Sequence, residues 1–169
     1  MTITNQTGPI AQPTPLAIKP SGAHQAIWML NSLIAERAIS EDTGGAYAVL
    51  ETWVTPDANP PPHVHANEDE AFLVLEGSLD VTVGNQTTSL GVGDFAFGPR
   101  GVPHTYAVTS GIARLLVISS PGGGERFFRA VGTPAQEMVI PQPQEPDVAT
   151  VVDIAARHGI TILLPPEAQ

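Results

Sequence analysis

Short runs of apolar residues, separated by glycine and proline, fill the middle of this 169-residue chain. Runs rich in Val, Leu, Ile and Thr that are bounded in this way are typical of β-strands. Turn residues that tolerate a positive φ, such as Gly77 and Gly84, lie between the runs, as antiparallel hairpins require. We therefore expect an all-β fold, either an antiparallel β-barrel or a double sheet. The pattern predicts nine strands, near residues 26–30, 33–38, 46–55, 70–75, 78–83, 86–90, 94–97, 104–109 and 113–119.

The two ends of the chain do not follow the strand pattern. Residues 1–22 are rich in Thr, Gln, Pro and Gly, which indicates a loose N-terminal arm. A short helix over 125–132 could cover one barrel mouth with its aromatic residues, and Asp147 can cap a second helix over about 148–157. The Pro-rich residues 133–146 between them form either a lid or a plain connector. The predicted organisation is an arm (1–22), a barrel (23–120) and a helical extension packed on the barrel (121–169).

Composition narrows the possible functions. The chain has no cysteine, which excludes disulfides, thiolate zinc sites and a thiol nucleophile. Its formal net charge of −10, with only 7 Lys+Arg, repels a phosphate backbone, so we expect no nucleic-acid partner. No apolar run approaches the ~20 residues of a membrane span, and residues 1–20 lack the pattern of a signal peptide. We therefore expect no membrane association and a cytoplasmic location.

Two clusters that contain histidine carry the candidate chemistry. His63 and His65 are separated by one residue, so on an extended strand their side chains point to the same face. Three acids follow at 68–70, and a second cluster of glycine, proline and His104 comes about one hairpin later. Together the clusters offer three imidazoles and a carboxylate to one metal ion. This ligand set suits divalent transition metals and leaves open positions, which is typical of a catalytic site.

The spacing in these clusters resembles the two sequence motifs of the cupin superfamily. The matching residues are His63, His65, Glu70 and Gly77 in the first motif, and Gly93, Pro99, Gly101 and His104 in the second. The resemblance covers about residues 60–108 and implies a cupin-type antiparallel β-barrel of jelly-roll type. It also implies that His63, His65, Glu70 and His104 bind one divalent transition metal (Fe, Mn, Ni, Co, Cu or Zn).

The spacing of the motif selects one carboxylate among three neighbours. Glu70 stands at the required gap of four residues and opens an apolar run, so we expect it on a strand. Glu68 and Asp69 are then interpreted as ordinary surface acids in a solvated loop. His24 and His158 lack neighbours of ligand type, and we expect neither to bind the metal.

A metal inside a small barrel requires that part of the apolar core lines a ligand cavity. Phe72, Phe97, Tyr106 and Val108 lie on the predicted strands nearest the metal ligands, and we predict that they contact the substrate. Such a cavity suits a flat or hydrophobic organic molecule. Arg100 fits the rim of the cavity, where it could pair with an anionic substrate.

Segments around the ligands resemble the single-domain quercetin 2,3-dioxygenase-like cupins. These segments are Pro-Pro-His-Val-His at 61–65, Glu-Asp-Glu-Ala-Phe at 68–72, the residues 98–104, and Pro-Gly-Gly-Gly-Glu-Arg-Phe-Phe at 121–128. The resemblance implies a metal-dependent dioxygenase that opens the heterocyclic ring of a flavonol with O2 and releases carbon monoxide. It also implies that Glu70 both ligates the metal and accepts the proton of the flavonol 3-hydroxyl group.

Fold alone leaves other functions open, because one fold hosts many activities. A metal-dependent cupin isomerase or lyase on a small polar metabolite would use the same ligands, with a more polar cavity. A non-catalytic small-molecule-binding cupin is the third possibility, disfavoured because all four ligands are present. The arm at 1–22 and the flat outer sheets of a barrel favour a homodimer.

Overall fold

A computed structural model describes residues 26–164, and this range contains twelve strands and three α-helices. The helices are short, so the described chain is mostly β-structure. In chain order the elements are β1 (Ala26–Met29), β2 (Ser32–Ala38), α1 (Ser40–Thr43), β3 (Ala48–Val54), a 3-10 turn (Pro56–Ala58), β4 (His63–His65), β5 (Asp69–Glu76), β6 (Leu79–Val83), β7 (Gln86–Leu90), β8 (Phe95–Gly98), β9 (His104–Val108), β10 (Ala113–Ser120), α2 (Glu125–Val131), β11 (Thr133–Pro134), α3 (Val148–Arg157) and β12 (Ile160–Ile162).

The strands form two antiparallel sheets. One sheet has seven strands in the order β11-β1-β2-β3-β10-β5-β8, and the other has five in the order β12-β4-β9-β6-β7. Alternate side chains of each strand point inward, and those of Leu50, Phe72, Leu79 and Leu115 belong to one core cluster built from both sheets. This double-sheet arrangement confirms the all-β, cupin-type jelly roll that the sequence predicts.

All nine predicted strands are present, with bounds that differ from the prediction by at most two residues. Three further strands, β4, β11 and β12, have two or three residues each, which is too short for a periodic pattern to reveal. The spacing of His63 and His65 nevertheless indicated extended backbone where β4 lies. In β4, both histidines pair with β12, a strand from the far end of the chain.

The C-terminal extension contributes to both sheets as well as providing helices. The side chain of Asp147 accepts a hydrogen bond from the backbone N–H of Thr150, so it caps α3 as expected. The two helices pack together through a cluster around Phe127, Ala155 and Ile160. Strands β11 and β12 pair with β1 and β4, so the segment is not only helical. The boundary at residue 121 stays a prediction, and the arm at 1–22 lies outside the described residues.

The Pro-rich loop between α2 and α3 lies against the outer face of the larger sheet and then reaches the cavity. Ile140 packs with Trp28, whose indole Nε1–H donates a hydrogen bond of 2.8 Å to the carbonyl of Val139. Further along, Gln144 and Pro146 line the cavity described below. The loop is therefore packed at its start and forms part of the cavity wall at its end, and its role as a lid stays a prediction.

Within residues 26–164, no helix combines the length and the apolar character that crossing a membrane requires.

Candidate metal centre

Four side chains from three strands converge at one place between the sheets. His63 and His65 lie on β4, and His104 opens β9, where it pairs with His63. Glu70 comes from β5 of the opposite sheet. One ligand atom from each of the four lies within 4.8 Å of the others. The structure thus brings together the four residues that the motifs assign to the metal.

The same nitrogen of each histidine faces the Glu70 carboxylate. The Nε2 atoms of His63, His65 and His104 lie 4.0, 3.7 and 3.1 Å from Oε2 of Glu70. His65, His104 and Glu70 are all buried, so little water reaches this cluster. A buried carboxylate surrounded by imidazole nitrogens is an arrangement that a cation stabilises.

The other ring nitrogens of two histidines face backbone carbonyls. Nδ1 of His63 lies 2.9 Å from the carbonyl oxygen of Pro61, and Nδ1 of His104 lies 3.0 Å from that of Val102. Because a carbonyl only accepts hydrogen bonds, both contacts favour the tautomer that carries its proton on Nδ1. In the neutral imidazole, the lone pair of each Nε2 is then directed toward Glu70, as a metal ligand requires. In the protonated form, His104 donates its Nε2–H to Oε2 of Glu70 at 3.1 Å.

The third histidine faces a carboxylate that the sequence assigned to the surface. Oε2 of Glu68 lies 3.5 Å from Nδ1 of His65, and the Glu68 residue is only 5% exposed. The interpretation of Glu68 as a solvated loop acid is therefore wrong. The turn between β4 and β5 directs its side chain inward, next to the His65 ring. One feature of the sequence could have indicated this position: an acidic residue stands three residues after His65, the second histidine of the motif.

The charges of the cluster fit a bound cation. Burial raises the pKa of Glu70, but the hydrogen bond with His104 and the charges of the histidines outweigh it, so the pKa of Glu70 lies below its usual value. Burial lowers the pKa of His63, which favours the neutral imidazole that binds metals. Burial also lowers the pKa of His104, but Glu70 outweighs it and raises the pKa overall. Three imidazole nitrogens and a carboxylate fit a divalent transition metal.

Gly98 on β8 makes room for His104. It pairs with Glu70 across the strands, and a Cβ atom at this position would lie 3.1 Å from Cγ and Nδ1 of the His104 ring. We expect Gly98→Ala to displace this ring and to weaken metal binding about tenfold or more, the usual effect of disturbing the support of a ligand. A competition titration with a chromogenic chelator measures this change.

Gly111→Ala is the matched control, because a Cβ atom there meets nothing within 4 Å. Equal metal affinity of Gly98→Ala and Gly111→Ala would contradict the tight packing of His104.

Asp69 and Arg100 form an ion pair beside the metal ligands. Nε and Nη2 of Arg100 donate hydrogen bonds of 3.0 and 2.9 Å to the two carboxylate oxygens of Asp69, and the backbone N–H of Arg100 donates another of 2.9 Å. Nη2 also donates to the carbonyl of Ser120. The guanidinium group is exposed, as expected for the rim, but it is engaged by Asp69. These hydrogen bonds lower the pKa of Asp69 to about 2.

This ion pair predicts a pH-dependent contribution to stability. Because the pKa of Asp69 is lower in the folded protein than in the unfolded chain, the pair stabilises the fold above about pH 4 and loses this effect as the pH falls toward about 2. We expect Asp69→Asn to lower the urea midpoint at neutral pH and the gap to wild type to close over that range. Urea unfolding at a series of pH values measures it, and a gap that persists at about pH 2 would contradict the assignment.

Three of the four ligands, His63, His65 and Glu70, line a cavity of about 380 Å³. Phe72 and Tyr106 line it, with ring centroids 5.8 Å apart and planes inclined at 71°. Phe127 and Phe128 of α2 also line it, in keeping with the expected cover over one barrel mouth. Within the described range, the lining contains no lysine or arginine. The cavity is therefore mainly apolar, with aromatic rings near the ligands.

Two of the predicted substrate contacts lie elsewhere. Val108 is buried in the core cluster but is not part of the cavity wall. Phe97 is 52% exposed, because its neighbour Ala96 pairs with the inward-facing Phe72 and therefore turns Phe95 and Phe97 outward. The prediction that Phe97 lines the cavity assumed the wrong face of β8 to be the inward one.

Sequence reasoning missed several cavity residues that the loops and the C-terminal extension provide. Met29 is the last residue of β1, Asn31 lies in the turn that follows, and Gln144 comes from the Pro-rich loop. They have no motif, and only the tertiary fold brings them to the cavity. His158 lies at the end of α3 with its ring 6.4 Å from that of Phe127, and His24 lies outside the described residues.

Comparisons with known proteins agree with this geometry. Residues 52–119 match the model of the cupin domain family. An uncharacterised protein of Streptomyces coelicolor is 33% identical over an alignment of 103 positions, which covers 54% of this chain and 92% of that protein. The chain belongs to the cupin family. The resemblance that the two motifs indicated is thereby confirmed.

A protein named as an enzyme and a solved cupin structure are also similar to this chain. Quercetin 2,3-dioxygenase of Bacillus subtilis is 35% identical over 74 residues, or 44% of this cupin, and the matched part spans only 22% of that enzyme. An RmlC-like cupin from Shewanella frigidimarina superposes with a TM-score of 0.55 at 19% identity, covering 63% of this chain and 93% of the other. The structural likeness supports the fold, whereas the activity belongs to a proposal.

Proposed function

We propose that this cupin is a metal-dependent dioxygenase of the quercetin or flavonol type, which uses O2 to open the ring of an aromatic enol. The observation that carries the proposal is that three of the four clustered ligands line an apolar cavity together with Phe72 and Tyr106. Because the described lining has no lysine or arginine, it favours a flat, uncharged molecule over a small anionic metabolite. Similarity to the quercetin 2,3-dioxygenase of Bacillus subtilis adds support.

His63, His65, Glu70 and His104 would hold one divalent transition metal ion. When bound, the ion would supply Lewis-acid stabilisation of the negative charge that develops on a substrate oxygen. The hydrogen bonds at Nδ1 of His63 and His104 keep their Nε2 atoms free for this role. The metal could be Fe, Mn, Ni, Co, Cu or Zn, since imidazole and carboxylate ligands accept each of them.

Glu70 is the proposed general base. Its pKa lies below the usual value, so the carboxylate is charged at neutral pH and can accept the proton of an enol hydroxyl group. A carboxylate that ligates through one oxygen keeps lone pairs on the other. Burial raises the pKa of Tyr106, so this hydroxyl group stays protonated and can donate a hydrogen bond to a substrate oxygen. Phe72 would contact the aromatic rings of the substrate and help to exclude water.

The test is an oxygen-uptake assay on protein that is loaded anaerobically with each candidate metal in turn. With quercetin or a related flavonol, we expect equal amounts of O2 consumed and carbon monoxide released, and dependence on both the metal and the substrate. Uptake of O2 without carbon monoxide, or none with any flavonol and any metal, would contradict the proposal.

A second candidate is a metal-dependent isomerase or lyase that acts on a small polar compound. The observation in its favour is a group of three amide side chains in the cavity wall, from Asn31, Asn59 and Gln144. Turnover without O2, at the same four ligands, would support this function. A non-catalytic small-molecule-binding cupin would bind the compound and leave it unchanged.

We also propose that the protein forms a homodimer through the outer face of β5, β8 and β10. The outward side chains there include Leu73, Phe95, Phe97, Leu116 and Ile118, whereas the outer face of a solvated antiparallel sheet is usually polar. Phe95 is 58% exposed, and two such faces packed around a two-fold axis would cover each other. The lack of nucleic-acid and membrane partners and a cytoplasmic location stay predictions from the sequence.

Sedimentation velocity at micromolar concentration tests the dimer. We expect wild type to sediment as a dimer, and the double variant Phe95→Ser with Phe97→Ser to sediment as a monomer with unchanged metal content. A monomeric wild type would contradict this mode of assembly.

A further inference from the structure

We infer that Glu68 is a positioning residue, which accepts a hydrogen bond from Nδ1 of His65 and so holds this histidine for metal binding. The inference rests on the proposed metal site. It concerns a residue that is not one of the four ligands and stands between two of them, His65 and Glu70, at a position that the spacing of the first cupin motif leaves open.

Two buried polar atoms without hydrogen-bond partners carry the argument. Nδ1 of His65 and Oε2 of Glu68 are both inaccessible to solvent, and neither has a hydrogen-bond partner among the described residues. They lie 3.5 Å apart, slightly beyond normal hydrogen-bond length. Burying two polar atoms without a bond is costly, and a small rotation of either side chain satisfies both. No third residue is needed to provide hydrogen-bond partners for these two atoms.

The three histidines differ in what supports them. Nδ1 of His63 and of His104 face backbone carbonyls at 2.9 and 3.0 Å, whereas Nδ1 of His65 faces a carboxylate. A carboxylate behind a histidine fixes the tautomer and increases the basicity of the nitrogen that binds metal, more strongly than a neutral acceptor does. His65 is therefore the ligand whose strength depends on an ionisable side chain.

The chain that follows β10 lies near the Glu68 carboxylate. A Cβ atom on Gly123 would lie 3.5 Å from Oε1 of Glu68, an ordinary van der Waals distance. The turn that carries Glu68 is anchored by the backbone N–H of Ala66, which donates a hydrogen bond of 2.8 Å to the carbonyl of Gly159. The carboxylate thus lies between the His65 ring and the chain that follows β10.

Two other roles for Glu68 fit the geometry less well. As a direct ligand it would have to face the Nε2 side of His65, where Glu70 lies, but it faces Nδ1. As the partner of Arg100 it would compete with Asp69, which already accepts hydrogen bonds from Nε and Nη2 of that guanidinium group. Support of His65 is the role that remains.

The experiment compares Co²⁺ binding to wild type, Glu68→Gln and Glu68→Ala by anaerobic titration, which follows the visible absorption bands of bound Co²⁺. We expect Glu68→Gln to weaken binding about tenfold or more and to shift these bands, and Glu68→Ala to weaken binding further. Asp69→Asn is the matched control, because it removes a neighbouring carboxylate that does not face His65. The thermal midpoint of metal-free Glu68→Gln should stay close to that of wild type, since an amide of the same size keeps the packing, whereas a purely structural role would lower it.

Wild-type affinity and unshifted bands in Glu68→Gln would overturn the inference. A second measurement needs no variant: in the Zn²⁺-loaded protein, the Nδ1 proton of His65 should resonate further downfield than those of His63 and His104, because a carboxylate accepts it. Equal shifts of the three protons would also count against it. If wild type binds Co²⁺ but fails to oxidise flavonols, the proposed dioxygenase activity is contradicted, whereas the role of Glu68 in metal binding is not.

Discussion

His104→Ala is expected to abolish metal binding and, with it, all turnover. The variant removes the imidazole nitrogen that lies nearest the Glu70 carboxylate, at 3.1 Å, and leaves that buried carboxylate without its hydrogen-bond partner. His63, His65 and Glu70 then remain without the fourth donor of the site, and we expect these three to lose the metal during gel filtration. Elemental analysis after anaerobic loading and gel filtration measures the bound metal directly.

His158→Ala is the matched control, because it removes the same side chain from the end of α3, where its ring contacts Phe127 and no metal ligand. It should retain wild-type metal content and activity. Equal metal content in His104→Ala and His158→Ala would refute the four-residue site.

Glu70→Gln is expected to separate metal binding from catalysis. The amide oxygen can still coordinate and three imidazoles remain, so the variant should keep much of its metal. It cannot accept the substrate proton, so turnover should fall by at least ~10²-fold, the usual contribution of a positioned base. Metal content and O2 uptake, measured on the same loaded sample, give the two readouts.

Glu76→Gln provides the control for this substitution, since Glu76 is an exposed acid at the end of the same strand, β5. It should leave both readouts unchanged. If Glu70→Gln retained wild-type turnover with full metal content, Glu70 would be a ligand only and the base would have to be another group.

The ligands could be predicted from the sequence because their geometry depends on local rules. Two histidines with one residue between them share a strand face, and the gap to Glu70 spans the turn that brings the next strand alongside. Nine strands could be predicted from the sequence for the same reason, since period-two patterns and glycine turns act over a few residues. Each of these features is decided by residues that are close in the chain.

Local sequence rules do not decide the positions of Glu68 and Phe97. Glu68 is buried among residues that include Gly123, which is more than fifty positions away in the sequence. An acidic residue in a turn therefore cannot be told from a surface acid by local pattern. Phe97 obeys the predicted alternation, but period two leaves open which face is inward. Pairing of β8 with β5 makes that choice, and a shift of one residue reverses it.

The absorption spectrum of a flavonol mixed anaerobically with the metal-loaded protein tests the central claim most directly. Deprotonation of the 3-hydroxyl group shifts the absorption of the conjugated rings, so binding of the substrate as an anion is visible before any oxygen is present. Wild type should produce the shifted band, and neither the metal-free protein nor Glu70→Gln should do so. If fully loaded wild type leaves the spectrum of every flavonol unchanged, the proposed activity is wrong.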